Sequence, residues 1–95
     1  MLEKEPADSF LNYALAIEYS AINEIHEAIR IITGVLQRDA NYLGAYYQLG
    51  KLYEQTKEIK EAISIYKKGI DIAKQQQNNK ALGELSQALM ILEDE

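Results

Sequence analysis

The chain repeats itself at a spacing of 34 residues, and the residues that recur are those a packed pair of helices needs. Tyr13, Leu15, Tyr19, Glu24, Ile25, Glu27, Ala28, Ile29 and Ile31 return unchanged as Tyr47, Leu49, Tyr53, Glu58, Ile59, Glu61, Ala62, Ile63 and Ile65. A period of this length marks helical hairpins stacked side by side. Each hairpin has an apolar face that it cannot bury alone, so its neighbours complete the core, and the stack presents an extended surface suited to binding another chain. The expected fold is all-α, with antiparallel helix-turn-helix repeats and five helices in all.

The 95 residues form one small domain, 1–95. A chain of this size buries only about 60–70 % of the surface it exposes when unfolded. Cysteine is absent, which excludes a disulfide scaffold, a zinc ribbon and thiol catalysis. The leading segment Met1-Leu2-Glu3-Lys4-Glu5-Pro6 lacks the apolar run of a secretory signal. No stretch approaches the roughly 18 apolar residues of a spanning helix, so a cytoplasmic location and no membrane partner are expected. The net charge of −5 argues against nucleic acid as a partner, because phosphate affinity comes from clustered Lys and Arg.

That charge is uneven. Residues 1–40 hold seven acids and three bases, 41–76 four acids and six bases, and 77–95 four acids and one base. The basic middle, Lys57, Lys60, Lys67, Lys68 and Lys74, is interspersed with Glu58, Glu61 and Asp71. It reads first as a solvated helix face with local ion pairs, and second as a phosphate or membrane patch.

The first helix is expected to start near Asp8 or Ser9, where a side-chain oxygen caps free amides, and to end near Ala21. A turn at Ile22-Asn23 leads to a second helix from about Glu24 to Gln37, whose first-turn acids suit the helix dipole. A third helix runs from about Tyr42 to Gln55. The fourth, from about Glu58, meets no stop before Asn78-Asn79 and is expected to outrun its counterpart. The last, from about Asn79 to Leu92, does not keep the period: Lys80, Gly83, Glu84 and Gln87 stand where Tyr46, Leu49, Gly50 and Tyr53 would recur. It carries one stripe, Leu82, Leu85, Leu89 and Leu92, with polar residues opposite, as the closing helix of a stack requires.

Within each repeat the pattern resembles the tetratricopeptide repeat, whose signature is a large aromatic, Leu-Gly, Tyr, and later Ala, an aromatic and Pro. Tyr46, Leu49, Gly50, Tyr53, Ala62 and Tyr66 match, with Gly69 at a further small position and Lys74 in place of the Pro. In the first repeat Leu15, Tyr19 and Ala28 match, while Asn12, Ala16, Ile32 and Ala40 stand at the remaining positions. The resemblance implies a short right-handed α-solenoid: repeat 1 over about 9–42, repeat 2 over about 43–76, and a capping helix over about 79–92. It also implies a scaffold or adaptor whose first helices line a concave groove for a peptide or helix of a partner protein.

With Leu11, Leu15, Tyr19 and Ile22 taken as the buried stripe of the first helix, Phe10, Tyr13, Ile17 and Ser20 project to the opposite side, and on the third helix Gly44, Tyr47, Lys51 and Glu54 do so. An apolar row outside the buried stripe needs an explanation. In one reading, Phe10, Tyr13, Ile17, Ser20, Tyr47, Lys51 and Glu54 form the partner-binding groove, with Lys51 meeting an acid of the ligand. In the other, the repeated Tyr13 and Tyr47 pack between hairpins. The Lys and Asn clamp with which some family members hold the carboxylate tails of heat-shock chaperones is missing, since Tyr13, Ile17 and Gln48 occupy its positions.

No catalytic, cofactor or metal site is expected. His26 is the single histidine, no second His completes a metal set, and the serines lack an activating context. The glycines are scattered, with no phosphate-cradling loop. A different class of function rests on Met90 and Ile91, which fall on the polar side of the last helix. A self-associating structural module could use them as a homodimer seam, because two repeats fall below the roughly three that a stable array usually needs. The expected state is a monomer or weak homodimer.

Overall fold

The computed structural model describes residues 8–94; the expectation for the leading segment Met1–Pro6 lies outside them. The chain forms α1 (Ser9–Ala21), α2 (Ile25–Arg38), α3 (Leu43–Gln55), α4 (Ile59–Gln76) and α5 (Asn79–Glu93), with no strand among the described residues. α1 begins where the Asp8 carboxylate accepts the Leu11 N–H at 3.0 Å. α5 begins in the same way, with the Asn78 side chain accepting the Ala81 N–H at 3.0 Å. Each cap satisfies an amide that the helix leaves without a partner. α2 and α4 have no side-chain cap; Glu27 and Glu61 stand in their first turns, where the dipole favours an acid.

The turns that close α1, α3 and α4 share one mechanism. Asn23, Lys57 and Gln77 have φ of 66°, 63° and 56°. The N–H groups of Glu24, Glu58 and Asn78 reach back to the carbonyls of Tyr19, Tyr53 and Ala73 at 2.8, 2.8 and 2.9 Å. This is the Schellman closure, whose left-handed residue is usually Gly because a Cβ is costly there. Lys57 has no side-chain amide to lessen that cost, so Lys57→Gly is expected to raise the unfolding free energy by roughly 0.5–1 kcal/mol. Urea denaturation followed by circular dichroism would show it.

Packing follows the hairpins. One core cluster joins α1, α2 and α3 through Ala16, Ala28, Ile32, Val35, Leu49 and Leu52. A second joins α3, α4 and α5 through Tyr46, Ala62, Tyr66, Ala73, Leu85 and Leu92. α3 contributes to both and ties the hairpins together. Within the second hairpin the helices cross at glycine: a Cβ on Gly50 would lie 2.1 Å from the Tyr66 ring, and one on Gly69 would lie 2.7 Å from Tyr46 Cβ. The Tyr46 hydroxyl donates to the Ala40 carbonyl at 2.6 Å, pinning the chain between α2 and α3.

The buried stripe of α1 differs from the expected one. Asn12 and Ala16 are its buried residues, Leu11, Leu15 and Tyr19 are half-buried, and Ile22 is 68 % exposed. The small Ala16 sits deepest because a helix crosses closely there, and Ile22 lies beyond the last turn that another helix covers. Period-related positions also diverge between the two hairpins. Leu52 is 2 % exposed against the first hairpin, whereas Glu18, one period earlier, is exposed on α1, which has no described hairpin in front of it.

α5 is a third first-helix set two residues out of phase. The capping residues Asp8, Tyr42 and Asn78 lie 34 and then 36 residues apart, because α4 is four residues longer than α2 while the connection that follows it is two residues shorter. In the shifted register, buried Leu85 and Ala88 take the places of Leu49 and Leu52.

Candidate functional site

α3 packs directly on α5, whereas α2 and α4 make little contact. α3 and α5 are therefore drawn together and α2 and α4 splayed. On α1, Phe10 is 66 % and Ile17 36 % exposed. With Tyr13 and Ala14 they line an open apolar depression. Tyr47 and Lys51 of α3 face Glu84, Gln87, Ala88 and Ile91 of α5 around a second depression.

The two repeated tyrosines occupy different surroundings. Tyr13 reaches from α1 to α3: its ring lies 5.2 Å from that of Tyr42, and its hydroxyl is the atom nearest to where a Cβ on Gly44 would stand, at 3.3 Å. Burial there raises its pKa, an effect partly offset by the Gln48 side chain. Tyr47 lies on the Tyr66 ring, with centroids 6.4 Å apart, and carries the Lys51 ammonium 5.3 Å above its own centroid.

Lys51 also stands 3.9 Å from Glu54, so its charge is matched within the chain. Glu54 in turn accepts the Tyr66 hydroxyl at 2.5 Å and thereby serves the core as well as the groove. Ser20 is half-buried at the end of α1 and gives its carbonyl to the Asn23 amide. Ile91, 55 % exposed, borders the groove opposite Tyr47; its neighbour Met90 is 59 % exposed. Sequence reasoning missed Glu84 and Gln87 as groove residues. Their signal was the later start of the last helix relative to the 34-residue period, which moves its register against that of α3.

The chain carries the repeat signature in its packing as well as in its spelling. A tetratricopeptide repeat family model matches residues 43–76. The crystal structure of a tetratricopeptide repeat domain protein from Salinibacter ruber is similar, with 36 % sequence identity and a TM-score of 0.87, over 92 % of this chain and 97 % of that one. The chain belongs to the tetratricopeptide repeat family. A solution NMR structure of a tetratricopeptide repeat domain protein from the same organism is similar at 36 % identity and a TM-score of 0.89, over 94 % of this chain and 90 % of that one. The crystal structure of MamA shares the fold at 21 % identity and a TM-score of 0.68, with 94 % of this chain spanning 58 % of MamA. A search of curated proteins gives no match.

The fold is thus an all-α, short right-handed solenoid of tetratricopeptide hairpins. Among the described residues no helix is long and apolar enough to cross a membrane, and no group of His, Cys, Asp or Glu is arranged to hold a metal ion. His26 is exposed in the first turn of α2.

Proposed function

We propose that this tetratricopeptide repeat chain is a non-catalytic interaction module that holds an apolar segment of a partner protein, extended or helical, in the hollow lined by α1, α3 and α5. The acting unit is two repeats, about 9–42 and 43–76, closed by α5. The observation that carries the reading is that four of the six exposed large apolar side chains, Phe10, Ile17, Met90 and Ile91, belong to α1 and α5, the other two, Ile22 and Ile59, lying just after α1 and at the start of α4.

Apolar side chains left in water at the rim of a hollow gain the most from a partner that excludes it, and such anchors commonly cost about 2 kcal/mol or more when truncated. Lys51, already engaged by Glu54 and Tyr47, acts as a wall of the groove, and Tyr13 supports it from behind by bracing α1 on α3. A groove of two repeats offers a short contact, for which a Kd on the order of 1 μM, about −8 kcal/mol, is the natural scale.

Ile17 and Ile91 are exposed enough to change without disturbing the core. The variant with Ile17→Gln and Ile91→Gln is expected to retain its helicity and melting temperature while losing at least about tenfold in affinity for the protein that the unaltered chain captures from its native cell. Capture followed by titration of the purified partner measures this, and equal retention by both chains would remove the groove reading. Ile91 beside Tyr47 favours the groove over a separate dimer seam. Light scattering over a concentration series should accordingly show a monomer for both chains.

A further inference from the structure

The apolar depression on α1 contains one charge. Its lining is Phe10, Tyr13, Ala14, Leu15, Ile17 and Glu18, and the Glu18 carboxylate has no ion-pair partner among the described residues. One turn to either side of Glu18 along the helix stand Ala14, Leu15, Ala21 and Ile22, and two turns back stands Leu11. α1 carries neither Lys nor Arg, so no base shares this face.

Nor does a base reach it from α3. Leu52, one period on, is the α3 residue that the first hairpin covers, so Glu18 is turned to the front of α1, away from α3. Lys51 is held there beside Glu54 at 3.9 Å and over the Tyr47 ring. The imbalance extends over the helices of the groove. Together α1, α3 and α5 carry four acids and two bases, whereas α2 and α4 carry three acids and six bases.

These charges restrict what can cover the depression. A partner that fills it with apolar atoms alone takes the Glu18 carboxylate out of water with nothing to balance it, which is strongly unfavourable. A partner that sets a Lys or Arg beside it gains a charge-assisted hydrogen bond, and it approaches helices of opposite net charge.

Resting on the groove reading, we propose that the α1 end of the groove takes a basic amphipathic helix of a partner protein. Apolar side chains one turn apart on that helix pack on Phe10, Ala14 and Ile17, and a Lys or Arg on its next turn meets Glu18. The helical form follows from the counterpart face. Ala45, Leu49 and Leu52 of α3 are covered by the helices of the first hairpin, and Leu11, Leu15 and Glu18 stand at the same phase on α1. The small Ala14 in the depression lets a second helix axis come close. A second copy of this chain is a poor occupant, because its exposed Met90 and Ile91 are followed by Glu93 and Asp94 and its α1 brings Glu18 itself.

The test uses the full chain and fluorescence anisotropy with four labelled probes: a helix-forming peptide with Leu along one face and Lys and Arg on its flanks, the same peptide with Glu for every base, the basic peptide with Ser for every Leu, and the basic peptide with a central Pro. The first is expected to bind saturably and at least about tenfold more tightly than each of the others. Glu18→Lys is expected to weaken it by about tenfold or more. Glu61→Lys, the same change of charge at an exposed position on α4, is expected to change it by less than about twofold, with the helicity of both variants retained by circular dichroism. Equal binding of the basic and acidic peptides, with both weakened by Ile17→Gln and Ile91→Gln, would overturn the basic helix and leave the groove standing. No binding of any probe, or binding of the basic peptide that those two substitutions leave unchanged, would overturn the proposal too, and capture of the native partner then decides the groove reading alone. Equal weakening by Glu61→Lys, undiminished binding of the Pro peptide, or a dimer in light scattering that the basic peptide does not dissociate would each overturn it as well.

Discussion

Gly50→Ala is expected to lower the unfolding free energy by at least about 2 kcal/mol, while the same substitution at Gly83 raises it by about 1 kcal/mol. Both glycines lie inside helices, where alanine is intrinsically the better residue by about 1 kcal/mol, so intrinsic preference predicts a gain at each. The surroundings decide the sign. The new methyl at Gly50 would stand 2.1, 2.5 and 2.7 Å from three atoms of the Tyr66 ring. That ring is fully buried and tethered through its hydroxyl to Glu54, so it cannot swing aside and the helices must part. Overpacking of this kind costs about 3 kcal/mol, which exceeds the propensity gain. At Gly83 nothing lies within 4 Å of the added atom, and the gain is kept. Urea unfolding of both variants by circular dichroism checks the pair; a stabilised Gly50→Ala chain would mean that α3 and α4 do not cross at that residue.

Tyr66→Ala is expected to cost about 4 kcal/mol, the largest loss from any single truncation in the chain, because a ring with no exposed surface leaves a void that its neighbours fill only in part. On a domain of this size, whose stability is on the order of 5–14 kcal/mol, the variant is near unfolding. Tyr66→Phe separates the hydroxyl from the ring and is expected to cost only about 1 kcal/mol, the contribution of a hydrogen bond to a carboxylate that is partly in water.

The hydroxyl also sets a pH dependence. Burial, reinforced by the hydrogen bond to Glu54 and that group's negative charge, pushes the Tyr66 pKa far above the ordinary tyrosine value. Burial raises Tyr13, Tyr42 and Tyr46 as well. A group whose folded pKa is raised contributes stability that is complete below its unfolded value, about 10 for tyrosine, and is lost as pH rises above it. Melting temperature is therefore expected to hold steady up to about pH 9 and to fall above about pH 10, with a shallower fall in Tyr66→Phe. Tyrosinate absorbance recorded during the melt identifies the groups; an equal alkaline fall in both chains would remove Tyr66 from the account.

Much of the architecture was legible because it is written twice. The recurrence of Leu15 as Leu49, Tyr19 as Tyr53 and Ala28 as Ala62 specified the hairpin, its period and the close crossing of its helices, and the run of α4 past the length of α2 was readable from the missing stop before Asn78. The α1 and α3 positions of the proposed groove were named from the phase of the repeat. The opposite wall was not: Glu84 and Gln87 read as the water-facing side of a closing helix, and their place beside Tyr47 and Lys51 depends on how α5 packs on α3. The buried stripe of α1 was misread at its end by the same periodicity, which counts apolar residues and so included Ile22, a residue 68 % exposed just past the helix.

By itself, then, the sequence determined what is local and periodic: helices, caps, turns, the repeated small residues, and thereby the membership of a family of helical stacks. Only the tertiary structure decided which copy of a repeated residue does what. Tyr13 and Tyr47 are one letter at one phase, yet one braces α1 on Tyr42 and Gly44 while its repeat lies between Tyr66 and Lys51. Glu18 and Leu52 share a phase too, and the first hairpin covers only one of them. The physical reason is that propensity and period act within a few residues along the chain, whereas burial depends on which helix stands next in space. Among the described residues the two copies of a position do not have the same neighbours.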